Sequence, residues 1–107
     1  MFSTVTVNKD WRTATHTDRG NFGRALSCIA VLGENFSGGL LGFPRYKVAV
    51  AVEQGDAILM DGHEPHCNTE LKIKNNGTRF SMVCYLREDM KLFHEPVVLG
   101  NHVYYIE

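Results

Sequence analysis

The sequence predicts an all-β fold, a double-stranded β-helix (jelly roll) with few or no helices. Short runs of β-branched and aromatic residues alternate with turn signals about every 8–12 residues along the 107-residue chain. No segment carries apolar residues at positions i, i+3, i+4 and i+7 over the length of a helix. Strands of this kind bury their apolar faces by closing two sheets on each other, so we expect one jelly-roll domain over residues 1–107.

The first half of the chain contains five strand candidates. Residues 2–7 alternate and are rich in β-branched side chains, whereas residues 26–32 form an apolar run that we expect to end at Gly33. In the fifth candidate Val48, Val50 and Val52 share one face of an alternating pattern. We therefore expect strands at residues 2–7, 11–16, 26–32, 38–44 and 46–53.

The second half is divided by two turn signals, a Gly-Asp pair at 55–56 and an Asn-Asn-Gly run at 75–77. Each signal precedes an apolar or alternating run. A third turn signal, the Gly-Asn pair at 100–101, divides the C-terminal segment into a hairpin. Residues 88–93 are long enough for one helical turn at most. The expected strands are residues 57–60, 79–87, 97–99 and 103–106.

His16-Thr17-Asp18 is the first pattern that indicates chemistry. On a strand, residues i and i+2 point to the same face, so an imidazole and a carboxylate stand side by side. With one further histidine they would form a two-histidine, one-carboxylate face, which suits iron(II) because it leaves metal positions open. By itself the pair also fits a polar strand end.

Either His63 or His66 can supply that further histidine. His66 is favoured because it follows Pro65 and begins an extended segment, whereas His63 fits a surface loop or a supporting role. Cys67, the next residue, is expected to be a small packed side chain and not a ligand.

Arg79 begins the longest predicted strand of the second half. Period two places Arg79, Ser81, Val83, Tyr85 and Arg87 on one face. A guanidinium inside a barrel needs an anionic partner, and arginine binds carboxylates through two parallel hydrogen bonds. The distal carboxylate of 2-oxoglutarate is such a partner, with the Ser81 hydroxyl as a second donor. The alternative is a solvent-facing strand edge.

Taken together, these residues resemble the TET/JBP-type oxygenases, which oxidise the methyl group of thymine or 5-methylcytosine in DNA. The resemblance implies that His16, Asp18 and His66 bind iron(II). It also implies that Arg79 and Ser81 bind 2-oxoglutarate, with dioxygen as the other co-substrate. The motifs that carry it are HTDRGN at residues 16–21, GGLLGFP at 38–44, GD at 55–56, HCNT at 66–69 and TRFSMVCY at 78–85.

The same resemblance suggests how a substrate base is held. It implies that Asn21 hydrogen-bonds a base flipped out of the duplex and that Tyr85 stacks on it. Relatives that act on 5-methylcytosine tend to carry a histidine two residues after this tyrosine, where this sequence has Arg87, so the choice of base stays open. Local phosphate contacts are expected from Arg12, Arg19, Arg24, Lys72 and Lys74.

Composition limits the alternatives. The net charge of −1 excludes a globally basic nucleic-acid binder, so any DNA contact must be local. Three cysteines without a CxxC pair, and no apolar run of about 20 residues, predict an unsecreted protein of the cytoplasm, nucleus or nucleoid without membrane insertion.

Three questions stay open at this level. The substrate could instead be a small molecule or a protein side chain, or the domain could bind metal without turnover, although a cupin would require an HxH motif. The chain is expected to be either a minimal enzyme or a piece that needs an additional N-terminal segment. Its strand edges also leave room for pairing with a second copy.

Overall fold

The computed structural model describes residues 2–23, 25–88, 97–99 and 101–104, with only the backbone described at 97–99 and 102–104. Among these residues the one complete helix is a 3-10 turn, η1 (Pro44–Tyr46). No helix in the described part of the chain is long and apolar enough to cross a membrane. The predicted all-β class is confirmed. The strands are β1 (Thr4–Lys9), β2 (Ser27–Gly38), β3 (Leu41–Phe43), β4 (Val48–Val50), β5 (Ala57–Met60), β6 (Cys67–Asn68), β7 (Leu71–Tyr85), β8 (Val97–Leu99) and β9 (His102–Tyr104).

The larger sheet has the strand order β1-β7-β2-β5 and is antiparallel throughout. Thr6 of β1 and Ile29 of β2 both stand opposite Val83 of β7, and Val31 stands opposite Ser81. Because alternate residues of a strand share a face, these five side chains lie on one side of the sheet. That side is the wall of the cavity described below.

The smaller sheet has the order β4-β3-β6. It faces the larger sheet across the cavity, so the two sheets form the predicted jelly roll. Val31, Leu41 and Met60 are the buried hydrophobic residues of the described chain. The space between the sheets is therefore only partly filled by a core, and much of it is lined by polar side chains.

The C-terminal hairpin is confirmed for the residues that the structure describes. β8 pairs with β9 in antiparallel register, Val98 opposite Val103. The last two residues of the predicted strand, Tyr105 and Ile106, lie outside the described residues, as does most of the expected helical turn at 88–93.

The prediction that Gly33 ends its strand is wrong, since β2 continues to Gly38. Gly33 has a φ of +126°, and a Cβ added there would lie 1.9 Å from the carbonyl oxygen of Thr78. The glycine is needed because β2 passes very close to β7 at this point, opposite Arg79.

The turn predicted at residues 75–77 is also wrong as a strand boundary. Asn75 and Asn76 do adopt left-handed backbone angles, with φ of 47° and 56°. They form a bulge within β7, where the pairing with β2 shifts register between Glu34 and Phe36.

Of two further strand predictions, one was wrong and the other was too long. Residues 11–16 form no strand, and only His16 pairs, in an isolated bridge with His66. The candidate at 46–53 is reduced to β4, because η1 occupies its first residue and the chain leaves the sheet after Val50. Polar alternation alone does not distinguish a strand from an extended segment that borders a cavity.

Candidate active site

A cavity of about 410 Å³ lies between the two sheets. Alternate residues of β1, β2 and β7 line it from the larger sheet, and Leu41, Cys67 and Asn68 line it from the smaller one. This volume lies within the range of roughly 300–1,000 Å³ that is typical of small-ligand sites. The residues that the sequence predicts to bind metal and 2-oxoglutarate all line this cavity.

His16, Asp18 and His66 bring their side chains together in the cavity wall. One ligand atom from each lies within 4.8 Å of the other two. Oδ1 of Asp18 is 3.2 Å from Nε2 of His16 and 3.5 Å from Nε2 of His66. The two backbones are joined by a reciprocal pair of hydrogen bonds of 3.0 Å between His16 and His66.

Both imidazoles of this cluster are oriented in the same way. Nδ1 of His16 donates to the carbonyl oxygen of Ala14 at 2.8 Å, and Nδ1 of His66 donates to that of Glu64 at 2.7 Å. Because a carbonyl only accepts, the proton of each neutral ring is held on Nδ1. The lone pair of each Nε2 is thus directed at the space beside Asp18, which is how proteins orient metal-binding histidines.

When the imidazoles are protonated, their positive charges and the Asp18 carboxylate stabilise one another. Burial raises the pKa of Asp18, but the hydrogen bond and positive charge of His66, then those of His16, outweigh it and hold the pKa below its ordinary value. Burial lowers the pKa of His66, yet hydrogen bonds to Asp18 and Glu64 raise it above its ordinary value. Asp18 is therefore ionised at neutral pH.

Gly62 makes room for the Asp18 carboxylate. The backbone N–H of Asp18 donates to the Gly62 carbonyl oxygen at 2.8 Å. A Cβ at position 62 would lie 2.7 Å from Oδ2 of Asp18 and 2.5 Å from Nδ2 of Asn21. The prediction from sequence did not include this glycine, because its role is visible only once the loop and the carboxylate are placed together.

Of the two candidate histidines, His66 and not His63 joins the cluster. Nδ1 of His63 instead lies 2.8 Å from Oδ1 of Asp61, and its Nε2 lies 3.3 Å from the carbonyl oxygen of Asn21. The hydrogen bond with Asp61 raises the pKa of His63. His63 supports the loop around Asn21 and is largely exposed.

Arg79 and Ser81 lie on β7 inside the cavity, and both are buried. The guanidinium donates from one Nη to the carbonyl oxygen of Gly39 at 3.2 Å, while its Nε has no hydrogen-bond partner. Among the described residues no carboxylate pairs with it, and burial lowers its pKa. The cavity therefore contains a buried cation without an anionic partner.

Asn21 is buried in the same cavity, and its Nδ2 donates to Oγ of Ser27 at 2.9 Å. Ser27 is fully buried at the start of β2 and was missed from the sequence. The sequence does offer a signal for it. Ser27 alternates with Ile29 and Val31, which face the cavity, and a polar side chain on a buried face needs a hydrogen-bond partner.

The other predicted substrate contacts differ in position. Tyr85 is half-buried at the end of β7 and lines the cavity. Arg87, two residues later, forms an isolated bridge with Asn21. Its side chain is exposed and does not line the cavity. The common face predicted for this strand therefore extends from Arg79 to Tyr85 and not to Arg87.

The basic residues named from the sequence lie on the surface. Arg12 and Arg19 are exposed close to the cavity, and Arg19 lines its edge. Lys72 and Lys74 are exposed on β7, and Nζ of Lys72 lies 4.0 Å from Oε2 of Glu70. Arg24 lies outside the described residues.

Comparison with known proteins identifies the family. Residues 1–88 match the Tet_JBP family model, the oxygenase domain of the 2OGFeDO superfamily. The chain belongs to this family. The 2OGFeDO superfamily, which includes the Tet_JBP family, comprises oxygenases that depend on 2-oxoglutarate and iron(II).

Curated relatives of this Tet_JBP chain include two kinds of thymine dioxygenase. "Bifunctional helicase and thymine dioxygenase JBP2" of Leishmania major is 43% identical over 88 residues, which cover 81% of this chain and 8% of the relative. "Thymine dioxygenase JBP1" of Crithidia fasciculata is 40% identical over 89 residues, which cover 80% of this chain and 11% of the relative. The chain thus spans about a tenth of the length of these relatives.

A solved structure supports the fold. NgTET1 in complex with 5mC DNA matches with a TM-score of 0.63 at 20% sequence identity, covering 78% of this chain and 33% of that one. The Tet_JBP chain therefore has the jelly-roll fold of that protein.

Proposed function

We propose that this chain is an oxygenase domain that uses iron(II), 2-oxoglutarate and dioxygen to hydroxylate the methyl group of a pyrimidine in DNA. The observation that carries the proposal is the convergence of His16, Asp18 and His66 with an unpaired buried Arg79 in one cavity. Family membership and the names of the curated relatives support it.

The donor set fits iron(II). Two neutral imidazole nitrogens and one carboxylate, all on one side of the cluster, are the ligands of non-haem iron oxygenases and leave other coordination positions open. The carbonyl oxygens of Ala14 and Glu64 orient both rings. Asp18, ionised through its low pKa, supplies the negative charge. We propose His16, Asp18 and His66 as the metal ligands.

The buried guanidinium fits a dicarboxylate. Arg79 has an unpaired Nε, and among the described residues no carboxylate forms an ion pair with its guanidinium. Such a group is costly to bury alone. We propose that it binds the distal carboxylate of 2-oxoglutarate, with the hydroxyl of Ser81, two residues along the same face, as a second donor. When bound, iron(II), 2-oxoglutarate and dioxygen supply the oxidising chemistry that hydroxylates a C–H bond.

The chain's own residues then position a base. A base inside a duplex must leave the stack to reach a buried site, and aromatic stacking with hydrogen bonds to its edge offsets that cost. We propose that Tyr85 stacks on the extruded base and that Asn21 binds its edge. Exposed Arg87, whose backbone pairs with Asn21, is proposed to contact the substrate at the cavity mouth.

Thymine is the base that we propose first. The relatives at 40–43% identity are thymine dioxygenases, whereas the protein solved with 5mC DNA is 20% identical. Arg87 also stands where relatives acting on 5-methylcytosine tend to carry histidine.

The test incubates the protein with iron(II), ascorbate, 2-oxoglutarate and duplex DNA that contains thymine alone or thymine with 5-methylcytosine. Succinate release and mass spectrometry of the nucleosides report turnover. His66→Ala should abolish both metal binding and turnover, whereas the matched His63→Ala should retain metal binding. Succinate release without any modified base would contradict the proposal that DNA is the substrate. Loss of metal binding in His63→Ala but not in His66→Ala would show that His63 is the ligand.

A further inference from the structure

Trp11 stands at the rim of the cavity. It is the only tryptophan of the chain, it lines the cavity, and 63% of its surface is exposed. Tryptophan is highly buried on average in folded proteins, because its ring offers a large apolar area. Neither the iron ligands nor the proposed 2-oxoglutarate site requires this ring, so its exposure calls for a separate explanation.

The backbone on both sides of Trp11 is anchored. Asp10 turns the chain at a φ of 50°, its N–H donates to the Arg79 carbonyl oxygen at 2.8 Å, and its Oδ1 accepts from the Arg79 N–H at 2.7 Å. On the other side, Thr13 and Asn68 exchange hydrogen bonds of 3.2 Å and 3.0 Å. The ring is thus presented from a fixed segment, which lowers the entropy lost when a ligand packs on it.

The surroundings of the ring favour a nucleic acid. Arg12 is the next residue in the chain and Arg19 lines the same cavity, and both are exposed. Nε of Arg12 donates to the carbonyl oxygen of Asn68 at 3.3 Å. A planar aromatic ring next to cations is the combination that binds bases together with their phosphates. 2-Oxoglutarate is an aliphatic dianion without a flat face that could stack on the Trp11 ring. Its proposed partner Arg79 is only 4% exposed, whereas the ring lies at the rim.

We propose that Trp11 stacks on a nucleobase that remains outside the cavity, next to the extruded one. This proposal rests on the proposed function and deepens it. Tyr85 is half-buried in the cavity lining, where it can stack on the extruded base. The Trp11 ring is exposed at the rim, where it can contact a base that stays in the strand. Trp11 is therefore a substrate-binding residue whose contribution grows with the length of the DNA.

The test measures KM and kcat for a thymine-containing duplex of about 15 base pairs. Trp11→Ala should raise the KM for DNA about 10- to 100-fold, the range expected from loss of one stacked base. The KM for 2-oxoglutarate should not change, and Trp11→Phe should restore most of the affinity. Tyr46→Ala is the matched control, because Tyr46 is an equally exposed aromatic residue (61%) outside the cavity lining and should leave every constant unchanged.

The unaltered protein provides a second measurement. Because Trp11 is the only tryptophan, the duplex should quench or shift the tryptophan fluorescence, and 2-oxoglutarate alone should not. An unchanged KM for DNA in Trp11→Ala, or a raised KM for 2-oxoglutarate, would overturn the stacking role while DNA turnover by the unaltered protein upheld the proposed function. Absence of any DNA turnover by the unaltered protein would overturn both.

Discussion

Gly62→Ala tests whether the geometry of the proposed metal ligands His16, Asp18 and His66 depends on the space beside Asp18. The added Cβ would lie 2.5 Å from Nδ2 of Asn21 and 2.7 Å from Oδ2 of Asp18, well inside the 3.4 Å at which ordinary van der Waals contact begins. Gly62 has no left-handed φ, so alanine adds a steric conflict without backbone strain.

The conflict can be relieved only by moving the loop or both side chains. Overpacking of this kind costs about 1–3 kcal/mol. If Asp18 moves, the free energy of metal binding becomes less favourable by about this amount, and the Kd for metal rises about 10- to 100-fold. If the loop moves, the hydrogen bond between Asp18 N–H and the Gly62 carbonyl oxygen is strained and the free energy of unfolding falls instead.

The assay is calorimetric titration with iron(II) under anaerobic conditions, or with cobalt(II), alongside urea unfolding of the metal-free protein. Gly23→Ala is the matched control, because a Cβ at Gly23 meets nothing within 4 Å and its φ is also not left-handed. The reasoning fails if Gly62→Ala binds metal and unfolds like the control. In that case the position of Asp18 does not depend on the missing side chain.

Three other predictions follow from single contacts. Arg79→Met should weaken 2-oxoglutarate binding by at least about 100-fold. The melting temperature of the ligand-free protein should fall only slightly, since the guanidinium has one hydrogen bond, to the Gly39 carbonyl oxygen, and no carboxylate partner among the described residues; a large fall would indicate a structural role. Ser27→Ala leaves the amide of buried Asn21 without its acceptor and should cost about 1–3 kcal/mol in urea unfolding; an unchanged value would mean that the amide rotates to another partner. In Asp61→Asn the pKa of His63, raised above 6.5 by that carboxylate, should fall in an NMR titration. The pair stabilises the fold fully below pH 6.5 and less as the pH rises through the His63 pKa, so unfolding experiments should show a smaller difference between protein and variant at high pH than at low pH.

Much of the cavity wall could be predicted because strand periodicity is a local property. Once β7 is identified, Arg79, Ser81, Val83 and Tyr85 must share a face, and the structure has them on the cavity side. The HxD motif is likewise a local pattern. These residues depend on neighbours one or two positions away in the sequence.

The parts that escaped prediction depend on contacts between distant segments. From the sequence alone, Gly33 indicates the end of a strand. In the structure the backbone of Thr78 lies so close to Gly33 that only glycine fits between the two strands. Ser27 and Gly62 acquire their roles from Asn21, which is far from Gly62 in sequence. The sequence predicts a polar strand over residues 11–16, but the hydrogen bonds around Trp11 join Asp10 to Arg79 and Thr13 to Asn68 and form no strand ladder.

The charges of the cavity explain why its two proposed occupants belong together. Arg79 carries one positive charge and Asp18 one negative charge, and the two histidines, each with its proton on Nδ1, can be neutral. A divalent metal would leave two uncompensated positive charges in a cavity where unpaired charge is costly. 2-Oxoglutarate is a dianion, so it neutralises this excess while its distal carboxylate meets Arg79. Each occupant therefore improves the electrostatic environment of the other, and by linkage the metal must strengthen 2-oxoglutarate binding by the same factor as 2-oxoglutarate strengthens metal binding.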